Sequence, residues 1–313
     1  MSNYITKDWL NLRKEPVVFK ENIITVMPPS TVVEMLAPTE NTTFSKVKIR
    51  IGTDDIEGYA ATEYLQATNL PLPSLPSNNI VIPAVNLAPN AGVVISKSSI
   101  EGRAYPINEN GAYRVLLPAT GDSAINTIHG ALNYLDVENS ARYAPTTTQT
   151  YCNIYAFDVV YSMSATDGTG PYIPRVWWNE HALADIKQGI MPPAIYEKTV
   201  LELNANSIAD WFDNYGAGFK WVRYTDITAL QEKINTGTIG IIVGQRINLN
   251  NPGHIVCVVP EIAGHAATRQ EGKVLSPLQS QAGSVNRKYT TGNNWWLNQN
   301  RFRKFGMWAY NNE

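Results

Sequence analysis

The sequence predicts an α+β protein built from more than one domain, and three observations predict it. The first 68 residues alternate short apolar runs with turn residues, as in "VVFKENIITVMPPSTVVEML" and "SKVKIRIGTDDIEGYAATEYL". From "GDSAINTIHGALNYL" onward, apolar residues recur instead at helical spacing. Towards the C-terminal end, "TIGIIVGQ" and "NPGHIVCVVPE" read as buried strands. Strands, then helices, then strands again place the chain in the α+β class with an antiparallel sheet.

The N-terminal strands, punctuated by "PPS" and "GTDD", predict a small all-β barrel over residues 1–68. "NLPLPSLPSNNIVIPAVNLAPNAG" is rich in Pro, Asn and Ser, so residues 69–120 are expected to be a linker and an extended segment that packs on the next domain. Residues 121–313 then form that domain. Its first helix is capped by Asp122 or Ser123 and carries Ile125, Ile128, Leu132 and Leu135 on one face. A second helix begins near Cys152, with Ile154, Phe157, Val160 and Tyr161 at a 3.6-residue period. "NSIADWFDNYGAGF" and "DITALQEKINTG" read as two more, the first ending at Gly216 or Gly218 and the second at Gly237. A strand is expected in "TIGIIVGQ", another from His254, and a third in "GKVLSPLQSQ".

Composition excludes several functions. With 313 residues, 44% apolar and 17% charged, the chain is long enough for a well-filled core and two domains. Its formal net charge is -2 and no long Lys/Arg run occurs, so a nucleic-acid partner is not expected. No apolar run reaches the length of a membrane span. The opening "MSNYITKDWLNLRKEP" lacks a basic-then-apolar export signal. Two cysteines, Cys152 and Cys257, allow at most one disulfide and form no C-x-x-C pair, so neither a cysteine zinc site nor any other metal or cofactor is expected. Each is either a buried small hydrophobe or a reactive thiol.

Cys152 falls at the start of a helix, where unpaired N–H groups and the positive end of the dipole favour thiolate, so a thiol of lowered pKa is expected there. Such a nucleophile needs a nearby base, and the base needs an orienting group. Of the four histidines, His129 lies within a helical repeat, His181 on a helix surface and His265 in a loop. His254 differs: Gly253 and the "NLNNPG" turn precede it and a strong strand follows, which sets its ring at the rim of a sheet. Alternation puts His254, Val256 and Val258 on one strand face and Ile255, Cys257 and Val259 on the other, so Cys257 is read as core.

Two sets of motifs resemble known families. Leu10, Asn11, Leu12 and Arg13, followed by "KEP" and closed by Gly58, Tyr59, Tyr64 and Leu65, resemble the bacterial SH3-type domain over roughly residues 5–66. "CNIYA" resembles the helix start of CHAP-type amidases, and "GHIVCVV" the histidine strand shared by CHAP and NlpC-type cell-wall peptidases. The second resemblance implies a papain-like cysteine hydrolase in which Cys152 attacks a carbonyl and His254 protonates the leaving amine. It also implies a third member from the strand after the histidine strand: Gln281 is preferred, Gln279 shares its face, and Glu261 competes. The backbone N–H of Cys152, with Tyr143 upstream, is the candidate oxyanion donor set.

Tyr143, Tyr155, Arg175, Trp177 and Trp178 are the candidate substrate contacts. Arg175 suits a substrate carboxylate through its planar fork, and Trp177, Trp178, Trp295 and Trp296 could wall a groove. The resemblance implies a peptidoglycan hydrolase, an amidase or a stem-peptide endopeptidase. It would act at the cell wall or in the periplasm after lysis or injection, as a phage lysin or an antibacterial effector, with an immunity protein or delivery apparatus as further partners. The alternatives are a non-catalytic wall-binding or assembly protein on the same scaffold, and a cysteine protease or transferase acting on protein.

Overall fold

The computed structural model describes residues 2–8, 10–19, 22–27, 29–38, 43–51, 54–72 and 82–312. Pro28, Gly52 and Thr53 of the two expected turns, and 73–81 in the middle of the expected linker, lie outside these residues. Contacts divide the chain into two compact units, Met1–Ile82 with Trp178–Pro193 and Pro83–Trp177 with Ala194–Glu313. The architecture is α+β, with antiparallel sheets and five α-helices among the described residues.

In the first unit, β1 (Asn3–Thr6), β2 (Leu10–Arg13), β3 (Ile23–Met27), β4 (Val32–Pro38), β5 (Phe44–Ile51), β6 (Asp54–Ala61) and β7 (Leu65–Thr68) form one sheet. Their order is β3-β2-β6-β5-β4-β1-β7. Alternate residues point inward, as the two-residue strand period requires, so Leu10 and Leu12, Val47 and Ile49 share one core with Met27, Val33, Ala60 and Leu65. Gly58 permits the join between β2 and β6, because a Cβ there would stand 2.7 Å from Arg13 O and 2.8 Å from Leu12 Cγ. Closing a barrel requires the end strands to exchange hydrogen bonds. Among the described residues β3 and β7 do not pair, so the sheet is open and the expected closed barrel is corrected.

The second unit begins with 83–120, which holds neither helix nor strand yet buries Val85, Leu87, Ile95, Ala104, Ile107 and Leu117. Then come α1 (Asp122–Leu135), α2 (Cys152–Ser162) and β8 (Val176–Trp178). The chain continues as α3 (Glu180–Lys187, in the first unit's second stretch), β9 (Val200–Glu202), α4 (Ala205–Tyr215), β10 (Trp221–Tyr224) and α5 (Ile227–Asn235). The remaining strands are β11 (Gly240–Arg246), β12 (His254–Val258), β13 (Thr268–Gln270), β14 (Lys273–Ser276), β15 (Gln279–Gln281), β16 (Arg287–Thr290) and β17 (Phe302–Tyr310). The capping position of α1 falls on Gly121, which makes no side-chain cap, and Asp122 stands in the first turn. α4 ends at Gly216 and α5 two residues before Gly237. The strand expected in "GKVLSPLQSQ" is two strands, β14 and β15, separated by Pro277, which has no N–H to give a ladder.

A six-stranded antiparallel sheet, β10-β17-β11-β12-β15-β16, is the centre of this unit. One face carries Ile242, Val256, Val258, Met307 and Ala309 against Leu230 and Ile234 of α5. The other meets α2, where Tyr155 Oη lies 2.6 Å from Ser280 Oγ, and α4, where Phe212 stacks on Trp308. Within this layer Arg142 grips Asp158 of α2 through Nε at 2.6 Å and Nη2 at 3.1 Å, and Tyr143 Oη donates to the same carboxylate at 2.8 Å. All three are buried. Asp158→Ala would leave the arginine charge uncompensated in the core, which costs about 3–5 kcal/mol. Urea unfolding of this unit is expected to move by that amount, and a change below about 1 kcal/mol would refute it.

Candidate active site

Cys152 is the first residue of α2 and lines an open groove of about 510 Å³. Arg103, 148–154, Arg175, Glu202, Asn204, Ala205 and the 249–253 loop complete its walls. That loop is held by the buried Asn206, whose Nδ2 donates to Leu249 O at 3.1 Å and to Asn251 O at 2.9 Å. Its Oδ1 accepts from Arg246 N at 2.9 Å. Gly253 is required by the same arrangement: a Cβ there would stand 2.6 Å from Asn206 Oδ1 and 2.7 Å from Gly244 O. The residue that enters β12 next is His254.

Burial pushes the Cys152 thiol up from its ordinary value, while the N–H groups of Ile255, Asn153 and Cys152 itself, and the charge of Arg175, pull it back. The N–H of Ile255 reaches the sulfur from the residue directly after His254, so the thiol sits at the histidine end of β12. His254 Nε2 lies 2.9 Å from Gln281 Oε1. With the amide oxygen accepting, Nε2 carries the proton and Nδ1 is left as the basic nitrogen. The edge-on ring of Trp295, 4.6 Å away between centroids, covers the imidazole. Burial pushes His254 down from its usual value, and the Gln281 hydrogen bond opposes that.

The lowered thiol pKa expected from the helix start is therefore corrected, because loss of water around the sulfur outweighs the N–H groups at the helix end. Both shifts favour the neutral forms, and strand alternation sets the two side chains on opposite faces of the sheet. His254 lies with Gln281, Val256 and Val258 on the α5 side and is not among the residues lining the groove, while Cys152 opens α2 on the side of Ser280. No hydrogen bond joins the two side chains among the described residues. Alkylation of Cys152 by iodoacetamide is accordingly expected to be slow at pH 6 and to rise through a midpoint above the ordinary thiol value of about 8.5. Peptide mapping of the adduct checks this, and a midpoint below that value would contradict it.

The other candidates lie elsewhere. Gln279 is buried, with Nε2 donating to Thr291 O at 3.0 Å. Glu261 is engaged by Arg269, Asn235 and the N–H of Ala267; neither residue meets His254. Tyr143 cannot serve as an oxyanion donor while its hydroxyl is committed to Asp158, and Tyr155 is fully buried against Ser280. Trp177 packs into an aromatic core with Tyr172, Trp211, Tyr215 and Phe219. Trp178 is buried as well, so neither walls the groove. Trp296 belongs to the α5 core. Arg175 does line the groove, but its Nε donates to Arg103 O at 3.0 Å, its Nη1 to Leu203 O at 3.1 Å and its Nη2 to Glu202. Those partners fill its fork. Cys257 is fully buried and its thiol is pushed far up by burial.

Of the remaining histidines, His181 is exposed on α3, while His129 Nδ1 lies 2.9 Å from Tyr289 Oη, on whose ring His265 stacks. Among the described residues no group of three His, Cys, Asp or Glu side chains is placed to hold a metal ion. No helix there is long and apolar enough to cross a membrane. No family model matches the chain, and no curated protein matches it either.

Proposed function

We propose that the second unit hydrolyses an amide bond of peptidoglycan, with Cys152 as nucleophile and His254 as acid and base, on a papain-like scaffold of the NlpC/CHAP type. The observation that carries this reading is a thiol opening a helix inside a substrate-sized groove, touched by the N–H of the residue after a histidine that Gln281 orients. The reaction requires the His254 ring to turn from the face it shares with Gln281 towards the sulfur. There its Nδ1 takes the thiol proton as the sulfur attacks the carbonyl carbon, and the Cys152 N–H faces the developing oxyanion. The imidazolium then protonates the leaving amine, the C–N bond breaks, and a thioester remains. Water hydrolyses the thioester with His254 as base, which restores the thiol. Hydrogen bonds of this kind tighten when substrate fills the groove.

The first unit is proposed to be an SH3-like wall-binding module. Its chain bears the L-N-x-R opening and the Gly58-Tyr59 segment, joined in register as Arg13 opposite Tyr59. The proposed site of action is the cell wall or periplasm, reached by lysis or injection, with an immunity protein or delivery apparatus as further partners. Digestion of purified peptidoglycan followed by mass spectrometry tests the activity. New amine and carboxyl termini at one type of amide are expected, and undigested sacculi at high enzyme concentration would overturn the reading.

A second reading is favoured by one observation, the buried thiol of raised pKa without a hydrogen bond to the imidazole. It is a wall-binding protein that keeps the scaffold without the chemistry. Such a protein would bind sacculi and release no fragments.

A further inference from the structure

The groove beside Cys152 is lined by three charged residues, Arg103, Arg175 and Glu202. Two of them neutralise one another: Arg175 pairs with Glu202, whose other oxygen accepts from Tyr196 Oη. The third has no such partner. Arg103 pairs with no carboxylate among the described residues, its Nη2 makes one long contact with Ala141 O at 3.4 Å, and its Nε is buried without an acceptor. The guanidinium nevertheless has a fixed place. Its carbon lies 3.4 Å from the ring centroid of Tyr151, the residue before Cys152. The Arg103 carbonyl is held by Arg175 Nε, and the Tyr151 hydroxyl by Gln149 Oε1 at 3.2 Å. A cation stacked on an aromatic face and short of acceptors is preorganised for a planar anion.

We propose that Arg103 is a specificity-determining residue that binds a free carboxylate of the substrate next to the scissile amide. This rests on the groove being the site of amide cleavage. The substrate class is then an acidic peptide, with its carboxylate received by Arg103 and its acyl carbon presented to the Cys152 sulfur. Arg175, the residue whose type suggested that role in the sequence, is already filled by Glu202 and two carbonyls. A charge-assisted hydrogen bond in a partly desolvated groove is worth roughly a 10- to 100-fold preference for carboxylate over carboxamide.

Two small reagents test the cation without needing turnover. Iodoacetate and iodoacetamide react identically at Cys152: the sulfur–carbon bond forms, the carbon–iodine bond breaks and iodide leaves. They differ only in carboxylate against carboxamide. The ratio of their rates at Cys152, followed by peptide mapping at one pH, is expected to fall about tenfold or more in Arg103→Gln and to be largely kept in Arg103→Lys, with both variants folded by circular dichroism. A ratio unchanged within about twofold in Arg103→Gln would overturn the proposal.

Peptide pairs that differ only in that carboxylate give the second readout. The native chain is expected to cleave the acid form about 10- to 100-fold better in kcat/KM, and Arg103→Gln to bring the two forms close to parity. If the native chain cleaves neither peptide nor peptidoglycan, the amide-cleavage reading fails, while the alkylation ratio still decides whether Arg103 receives an anion. A native chain that cleaves both forms equally would refute the role of Arg103 and leave the hydrolase reading standing.

Discussion

Cys152→Ala is expected to lower peptidoglycan cleavage by more than about a thousandfold, the scale seen when a covalent nucleophile is removed. No other described thiol can take over, because Cys257 is enclosed in the sheet and its burial keeps it protonated. The substitution removes one buried sulfur at the first position of a helix, so stability should change by about 1 kcal/mol and the thermal midpoint by a few degrees. Muropeptide release and a thermal scan on the same preparation separate the two effects. A collapse of the midpoint with cleavage retained would make the thiol a structural group.

His254→Ala has the second largest expected effect, a loss of about 10²–10⁴-fold, the usual contribution of a positioned acid and base. The pH profile of the native chain carries the same information. Burial lowers the imidazole's pKa, so His254 stays neutral and able to accept a proton below the ordinary histidine value of about 6.5. The acid limb of kcat/KM is therefore expected below that value. Gln281→Ala removes the hydrogen bond that favours the charged ring, so the limb should move further down, with a milder loss of rate. An acid limb unmoved in Gln281→Ala, together with undiminished rate in His254→Ala, would remove both residues from the proposed mechanism.

Much of the second unit was legible in its sequence because its signals are local. The helix from Cys152, the strand from His254 and the helix endings near Gly216 and Gly237 follow from periodicity and from glycines just past the last turns. Alternation along β15 likewise put Gln279 and Gln281 on one face; the structure sets Gln281 against His254 and Ser280 on the other side, where Tyr155 of α2 meets it. The sequence does not say which aromatic residues remain in contact with water. Trp177 and Tyr155 read as groove residues by type, yet the aromatic core and Ser280 enclose them.

Arg103 was missed for a related reason. It lies in a stretch without helix or strand, 49 residues before Cys152 in the numbering, and no periodicity ties it to the thiol. Only the stack on Tyr151 reveals it. The thiol's environment was misjudged because the helix start is visible in sequence while the burial that opposes it is a tertiary property. Barrel closure is equally non-local, since it depends on β3 meeting β7 across the full length of the first unit.

The central claim is that the Cys152 thiol performs the cleavage. It is tested most directly by graded alkylation of the native chain, with the fraction modified at Cys152 plotted against residual muropeptide release. The account predicts a straight fall to zero activity at one adduct per chain on Cys152, slowed by bound substrate. Complete modification of Cys152 with cleavage undiminished would contradict it.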